Sequence, residues 1–335
     1  MENVIFPIKE PQILSFITTD RCTAACRNCC FQCSPKQNTQ LTLQEMQECI
    51  DQAVRDFPDL VTCVFTGGEC TTMGADLFTI ICYARKRKLK TRIVTNAHWA
   101  ENQEVAYEYI KKLRDSGLNE LNISTGDEHQ KWIPYDRVVF ACNAAAAHDI
   151  FVAVTVESTS HSVFSSQNIL SDERLSKAIN SRKIIVKDSL WIEFDKNIEM
   201  KKNVAVMNEG PCTNLFNTVA VSPSGIMYAC CGLTCKNDAI LTLGDIRNNS
   251  IRHLYDEQFD DLVKLWLYTH GPKKMNSFLC KKKDMPDDSD GYPHICSLCH
   301  HVLEDRKNMD IIKNNITDII PTIMLKYQLI NNISK

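Results

Sequence analysis

Short apolar runs alternate with helix-forming segments along the first 200 residues of this 335-residue chain. Alternation of this kind predicts parallel strands joined by right-handed helical crossovers, and therefore an α/β fold. Helices are predicted over 42–55, 73–88, 101–116, 133–148 and 171–180, and the first begins at a capping pair, Thr42 and Glu45. The six predicted strands are 13–18, 60–66, 91–95, 118–124, 150–156 and 187–194.

Polar and cysteine-containing loops follow the predicted strands at the point where each strand ends. Because the C-terminal ends of parallel strands meet on one side of a sheet, we expect these loops to build a single site. The loops contain Cys22 to Cys29, Gly67-Gly68-Glu69, Asn96, Ser124 to Asp127, and Glu157.

The first loop carries three cysteines, Cys22, Cys26 and Cys29, in the spacing CxxxCxxC. Three thiolates on one tight loop can hold three irons of a [4Fe–4S] cluster and leave the fourth iron open to another ligand. A structural zinc loop is the alternative for this motif taken alone. The later cysteines favour the cluster.

Seventeen cysteines are many for a chain of this length, and the first ten residues do not resemble a signal peptide. Reduced thiols in a cytoplasmic enzyme are typical of metal clusters or reactive groups. A net charge of −3 gives no reason to expect nucleic acid, and no apolar run is long enough to span a membrane.

The spacing of Cys22, Cys26 and Cys29, followed by Gly67-Gly68-Glu69 after the second strand, resembles the radical S-adenosylmethionine (SAM) enzymes. The resemblance implies a partial (β/α)6 barrel in which the open iron binds the amino and carboxylate groups of SAM. It also implies that the glycine-rich turn binds the SAM amino group, with Glu69 facing this ammonium.

The same resemblance makes Asn96, Ser124, Thr125 and Asp127 candidate contacts to the methionyl and ribose groups of SAM. The chain departs from the family at Asn28, where an aromatic residue usually lies near the adenine. Phe31 is the candidate replacement for that aromatic residue.

Cysteines cluster again beyond residue 200, where the alternation of strands and helices stops. This part resembles the twitch domain, the shortened relative of the SPASM domain, which binds one auxiliary [4Fe–4S] cluster. Alternatives are structural zinc, or replacement of one ligand by Cys231, Cys235 or Cys280. The four expected ligands are Cys212, Cys230, Cys296 and Cys299.

The expected domains are the barrel over 1–200, the twitch domain over 201–310 and a helical tail over 311–335. Within the second domain, 271–293 contains two glycines, three prolines and many charges, and is predicted to be a long loop. The tail carries several apolar residues and is predicted to be a docked helix.

The run Cys29-Cys30-Phe-Gln-Cys33-Ser-Pro35 resembles the cysteine loop of radical SAM peptide epimerases, which turn L-residues into D-residues. Such an enzyme cleaves SAM reductively and abstracts a Cα hydrogen of a ribosomally made peptide. A thiol then returns a hydrogen on the other face, and Cys231 is the first candidate, with Cys70 the second.

Other functions remain open alongside epimerisation. One is dehydrogenation of a small molecule with the auxiliary cluster as electron acceptor, and another is thioether or carbon–carbon crosslinking of a peptide. Each requires an external electron donor of the flavodoxin or ferredoxin type. A zinc-binding interaction module is the alternative that is not an enzyme.

Overall fold

A computed structural model describes residues 9–159, 161–192 and 210–333 of the chain. Nine strands form a single sheet in the order β6-β5-β4-β3-β2-β1-β7-β8-β9. The first six strands are parallel, β7 adds to β1 in parallel, and β8 and β9 complete the sheet in antiparallel pairs. The strands are β1 Ile13–Ile17, β2 Thr62–Thr66, β3 Lys90–Thr95, β4 Glu120–Thr125, β5 Phe151–Ser158, β6 Ile184–Leu190, β7 Thr218–Val221, β8 Ile226–Tyr228 and β9 Thr242–Asp245.

Helices follow strands β1 to β5, and most of the described chain after β9 is also helical. The α/β architecture with parallel strands confirms the predicted fold class. The helices are α1 Leu43–Asp56, α2 Ala75–Lys86, α3 Gln103–Asp115, α4 Asp127–Gln130, α5 Tyr135–Ala147, α6 Ser166–Leu170, α7 Ser176–Asn180, α8 Ile251–Asp256, α9 Leu262–Lys282, α10 Ile295–Glu304, α11 Arg306–Asn314 and α12 Ile316–Ile333.

The first helix begins as the sequence predicts. The Thr42 hydroxyl accepts a hydrogen bond from the Glu45 backbone N–H at 3.2 Å, and the Glu45 carboxylate accepts one from the Thr42 N–H at 2.8 Å. These reciprocal bonds satisfy backbone donors that the first helical turn leaves free, which fixes where α1 starts.

The two faces of the sheet have different environments. On β1, Leu14 and Phe16 pack into an apolar core with the helices that cross the sheet. Side chains alternate along a strand, so Ser15 between them points to the opposite face. The core that contains α9, α10 and α12 includes Ala220 and Tyr228 of β7 and β8. We call the face that carries Ser15 the inner face.

Two predictions for the sixth β/α unit were wrong in detail. Of the helix predicted over 171–180, only α7, Ser176–Asn180, is helical. Turns occupy residues 171–175, and the short helix α6 ends before the predicted range, at Leu170. Strand β6 begins at Ile184, three residues before the predicted start. Residues 193–194 of that prediction lie outside the described residues.

The prediction of a long loop over 271–293 was wrong for its first half, whereas residues 283–293 contain no α-helix or strand. Helix α9 continues to Lys282, with a kink at Gly271, whose φ is 78°. A Cβ atom at Gly271 would lie 1.8 Å from the Gly210 carbonyl oxygen, so glycine is required where these segments cross. Pro272 then opens the second helical part, a position that proline favours. Met275 and Leu279 are buried beyond it.

The tail is a docked helix, as predicted. Ile319, Ile323 and Tyr327 of α12 are buried, and the Tyr327 ring lies 5.8 Å from the ring of Tyr268 on α9. No helix in the described ranges is long and apolar enough to cross a membrane. The predicted domain boundary at residue 200 falls outside the described residues, and the division into domains stays a prediction.

Candidate active site

The three cysteines of the first loop lie together just beyond β1. Burial raises the pKa of Cys22 to about 12, and the nearby charges of Glu69 and Cys29 add to this effect. Burial likewise raises the pKa of Cys26, with further contributions from Cys29 and Cys22. Adjacent half-buried thiols cannot all ionise unless a cation compensates their charge. The arrangement therefore fits a site that holds iron through three thiolates.

The other two cysteines of this loop, Cys30 and Cys33, interact with the Cys29 thiol. The buried Cys33 thiol donates a hydrogen bond to Cys29, and together with backbone N–H groups of the loop it lowers the pKa of Cys29. Burial raises the pKa of Cys30, and the thiols of Cys29, Cys235 and Cys231 contribute. Cys30 thus lies between the first cysteine loop and the cysteines of the second half of the chain.

The glycine-rich turn after β2 packs directly on the start of the cysteine loop. The Gly68 N–H donates to the Thr19 carbonyl at 2.7 Å, and the Glu69 N–H donates to the Arg21 carbonyl at 2.8 Å. A Cβ atom at Gly68 would lie 2.2 Å from the Arg21 oxygen. Glycine is therefore required here, because any side chain would push the cysteine loop away.

Glu69 is fully buried, and its carboxylate joins β2 to β3. One oxygen accepts hydrogen bonds from the hydroxyls of Thr71 at 2.6 Å and Thr95 at 2.7 Å. The other accepts from the Asn96 N–H at 2.8 Å. These bonds place Glu69 beside the cysteine loop, while its contact to an ammonium group stays a prediction.

The predicted SAM contacts occupy different environments. Asn96 donates to the Thr23 hydroxyl at 3.0 Å and to Cys22 Sγ at 3.8 Å, so it touches the cysteine loop. Ser124 is half-buried, whereas the neighbouring Thr125 is buried. The Asp127 carboxylate accepts from the backbone N–H groups of residues 163 and 164 and holds that loop in place. Their roles toward SAM stay predictions.

A cavity of about 310 Å³ adjoins the cysteine loop, beside the C-terminal ends of β4 and β5. Glu157 forms part of its wall and accepts hydrogen bonds from the Glu128 N–H at 2.6 Å and from His129 Nδ1 at 2.8 Å. Phe31, the predicted aromatic replacement, packs instead against the core of α9 and α10. Asn28 lines this cavity, and it occupies the position at which the resemblance leads us to expect an aromatic residue.

The cysteine loop is also tied to the second half of the chain by a contact that the sequence does not signal. Lys236 Nζ lies 3.2 Å from the Asp20 carboxylate and 6.0 Å above the Phe31 ring. The two residues are 216 positions apart, and no sequence motif relates a lysine and an aspartate at that distance. The contact is visible only in the folded chain.

The four predicted auxiliary ligands converge on one cavity, beneath α9 and α10. A Cβ atom at Gly232 would lie 3.3 Å from Cys296 Sγ and 3.5 Å from Cys230 Sγ, so glycine leaves room for both sulfurs. The alternative ligand Cys280 donates to the Asp288 carboxylate at 3.8 Å instead. The cysteines that line the cavity are Cys212, Cys230, Cys296 and Cys299.

The chemistry of this second set also fits a metal cluster. Burial raises the pKa values of Cys230 and Cys299, and the neighbouring Cys212 contributes to both shifts. Burial raises the pKa of Cys296 to about 12. As in the first loop, these thiols can be held as thiolates together only by a cation. Their role as cluster ligands stays a prediction.

Removal of one cysteine from the second set should halve the iron content of the reconstituted protein. Two four-iron clusters correspond to roughly eight irons per chain, and we expect about four in Cys299→Ala. Cys280→Ala is the matched control, because Cys280 is buried in the same half of the chain but does not line the cavity. Iron and zinc analysis of both variants tests this. Unchanged iron in Cys299→Ala, or zinc in place of iron, would contradict it.

Cys231, next to Cys230, does not line this cavity and instead reaches the inner face of the sheet. Its Sγ is 3.4 Å from Ser15 Oγ on β1. Burial raises the pKa of Cys231, so it keeps its S–H hydrogen near neutral pH.

Cys70, by contrast, is fully buried in the apolar core that contains Leu14 and Phe16, on the face of the sheet opposite the inner face, and donates to the Val94 carbonyl at 3.3 Å. The structure therefore gives no support to Cys70 as a second hydrogen donor.

Comparison with known proteins agrees with this site. The model of the radical SAM superfamily matches residues 16–161, which contain the cysteine loop and the glycine-rich turn. The putative peptide biosynthesis protein YydG of Bacillus subtilis (strain 168) is 22% identical over 113 residues. That alignment covers 34% of this chain and spans about a third, 35%, of the curated relative.

Solved structures share the fold over most of the chain. Native anSMEcpe with bound AdoMet has a TM-score of 0.54 at 13% identity, covering 93% of this chain and 98% of that one. The same native protein with bound AdoMet and Cp18Cys peptide has a TM-score of 0.53 at 13% identity, covering 96% and 99%. BtrN in complex with AdoMet and 2-DOIA has a TM-score of 0.50 at 14% identity, covering 80% and 91%. The chain therefore contains a radical SAM domain over residues 16–161, within an α/β fold of the anSMEcpe type.

Proposed function

We propose that the protein is a radical SAM peptide epimerase, in which Cys231 returns a hydrogen atom to the Cα radical of a peptide residue. The observation that carries the proposal is the position of the Cys231 thiol, 3.4 Å from Ser15 on the inner face of β1. The same strand leads into the first cysteine loop, and Cys231 itself follows a residue of the second cysteine set. A substrate on the inner face would lie between these groups.

The radical SAM domain implies a [4Fe–4S] cluster and SAM, and Cys22, Cys26 and Cys29 would hold that cluster. When bound, these groups supply an electron and a 5′-deoxyadenosyl radical that removes a hydrogen atom from the substrate. Cys231 then breaks its S–H bond and forms a new Cα–H bond on the opposite face. The resulting thiyl radical needs one electron and one proton, from the external donor and solvent, to restore the thiol.

A peptide substrate is supported by the names of the similar proteins. YydG is described as a putative peptide biosynthesis protein, and one of the anSMEcpe structures contains a peptide. The run from Cys29 to Pro35 also resembles the cysteine loop of peptide epimerases. We infer that the auxiliary cluster of Cys212, Cys230, Cys296 and Cys299 fixes the segment that presents Cys231.

The decisive experiment is anaerobic turnover in D₂O with the iron-loaded protein, SAM, a reductant and candidate peptides. We expect one deuterium at the modified Cα together with a change from L to D, because the Cys231 S–H exchanges with solvent before it donates. Mass spectrometry and chiral amino-acid analysis measure both. Loss of two hydrogens would instead indicate dehydrogenation, and a new covalent ring would indicate crosslinking; either result would overturn epimerisation.

A further inference from the structure

The side-chain amide of Asn96 contacts the first cysteine loop at two neighbouring residues. Asn96 directly follows β3 and is buried. Its Nδ2 group donates to the Thr23 hydroxyl at 3.0 Å and to Cys22 Sγ at 3.8 Å. An amide group carries two hydrogens, so both bonds can form at the same time. One of the two acceptors, Cys22, is a proposed ligand of the [4Fe–4S] cluster.

The orientation of this amide is fixed by its other contacts. The Asn96 side-chain oxygen accepts a hydrogen bond from the His98 N–H at 3.0 Å. A backbone N–H can only donate, so the oxygen must face His98 and the Nδ2 group must face the cysteine loop. The Asn96 N–H donates to the buried Glu69 carboxylate at 2.8 Å, which holds the backbone in place. The fold therefore directs an N–H group at Cys22.

The surroundings of Cys22 oppose additional negative charge. Burial raises the pKa of Cys22, and the charges of Glu69 and Cys29 act in the same direction. A cluster bound here gains one negative charge when it is reduced, and the same surroundings disfavour that charge. Two described N–H groups offset this effect at the sulfur. One is the Ala24 N–H of the loop itself, at 3.4 Å, and the other is the Asn96 amide.

We propose that Asn96 raises the reduction potential of the SAM-binding cluster through its N–H···S hydrogen bond to Cys22. One electron from the external donor converts [4Fe–4S]²⁺ into [4Fe–4S]⁺, and the sulfur atoms share the added negative charge. Hydrogen bonds to these sulfurs stabilise the reduced form and so raise the potential. Asn96 acts through Cys22 and is a positioning residue for the reduction that precedes SAM cleavage. This inference rests on the cluster in the proposed function.

The test is a redox titration of the anaerobic, iron-loaded protein, followed by EPR, with dithionite as the reductant and without SAM. The SAM-binding cluster is the one whose EPR signal changes when SAM is added to a parallel sample. In Asn96→Leu, an uncharged side chain of similar size replaces the amide. We expect its reduction equilibrium to shift about tenfold towards the oxidised cluster, which corresponds to a potential about 59 mV lower.

Asn96→Asp is the second variant, because it keeps an oxygen that can accept from the His98 N–H. It replaces only the Nδ2 donor, and it adds a negative charge beside Cys22. Its potential should therefore fall at least as far as that of Asn96→Leu. The auxiliary cluster should keep its wild-type potential in both variants and serves as a reference within the same molecule.

Asn102→Asp is the matched control for the added charge. Asn102 is exposed, and its side chain caps α3 by accepting from the Val105 N–H at 2.9 Å. Aspartate caps a helix as well as asparagine does, so the fold should not change. Both clusters of this variant should have the wild-type potential.

A second measurement detects the hydrogen bond itself. In protein labelled with ¹⁵N at its asparagine side chains, pulsed EPR of the reduced cluster should show a coupling to Nδ2 of Asn96. The coupling should be absent from Asn96→Asp and Asn96→Leu. A coupling that persists in these variants, or a wild-type potential in Asn96→Leu, would overturn the proposal. A lower potential in Asn96→Asp alone would show an effect of charge and would overturn it as well.

The outcomes also separate this inference from the proposed function. A wild-type protein without a cluster at the first cysteine loop would overturn both. An unchanged potential in Asn96→Leu, together with deuterium incorporation and L-to-D conversion by the wild type, would overturn only the role of Asn96. A lowered potential without epimerisation by the wild type would support Asn96 and overturn the epimerase function.

Discussion

Simultaneous replacement of Cys22, Cys26 and Cys29 by alanine is expected to reduce 5′-deoxyadenosine formation to background. We propose these thiols as the ligands of the [4Fe–4S] cluster that the radical SAM domain implies. The glycine-rich turn fixes the start of their loop. Iron should fall by about four per chain while the second cysteine set keeps its own cluster. Chromatographic assay of 5′-deoxyadenosine with dithionite as reductant measures the loss.

Cys142→Ala is the control for this variant. Cys142 lies on α5 and is fully buried in the apolar core that contains Leu14 and Phe16, apart from both cysteine sets. Its removal should cost only about 1 kcal/mol of stability and leave 5′-deoxyadenosine formation intact. Continued SAM cleavage in the triple variant would refute the assignment of the cluster site.

The second large effect is expected for Cys231→Ala. The variant should still cleave SAM and still remove the Cα hydrogen, since neither step uses this thiol. It should form no D-residue, because the S–H donor beside Ser15 on the inner face is gone. Deuterium at Cα should fall to background in D₂O, and 5′-deoxyadenosine should still accumulate. Chiral analysis of the hydrolysed peptide provides the measurement.

Cys70→Ala separates this role from a general effect of removing a buried thiol. Cys70 is fully buried and donates to a backbone carbonyl on the other side of the sheet. The variant should produce D-residues as the wild type does. Formation of D-residues by Cys231→Ala, or their loss in Cys70→Ala alone, would exclude Cys231 as the donor.

The first half of the fold was predictable because its interactions are local. Consecutive strands pair with each other from β1 to β6, and each crossover is marked by a periodic helix, as at the capped start of α1. The first cysteine loop and Gly67-Gly68 lie at the ends of adjacent strands, so parallel pairing brings them together. The loop prediction failed at Gly271 and Pro272, because these helix-breaking residues kink α9 without ending it.

The sequence by itself determined the α/β class, the radical SAM cysteine loop and the glycine-rich turn, because spacing along the chain encodes each of them. The sequence named four later cysteines as ligands but left three alternatives open, and only the tertiary structure showed that the four expected ones line one cavity. It also showed that Cys231 faces Ser15 from 216 residues away. The physical reason is that burial and long-range contacts depend on how strands β7 to β9 and helix α9 pack, and no local pattern records that packing.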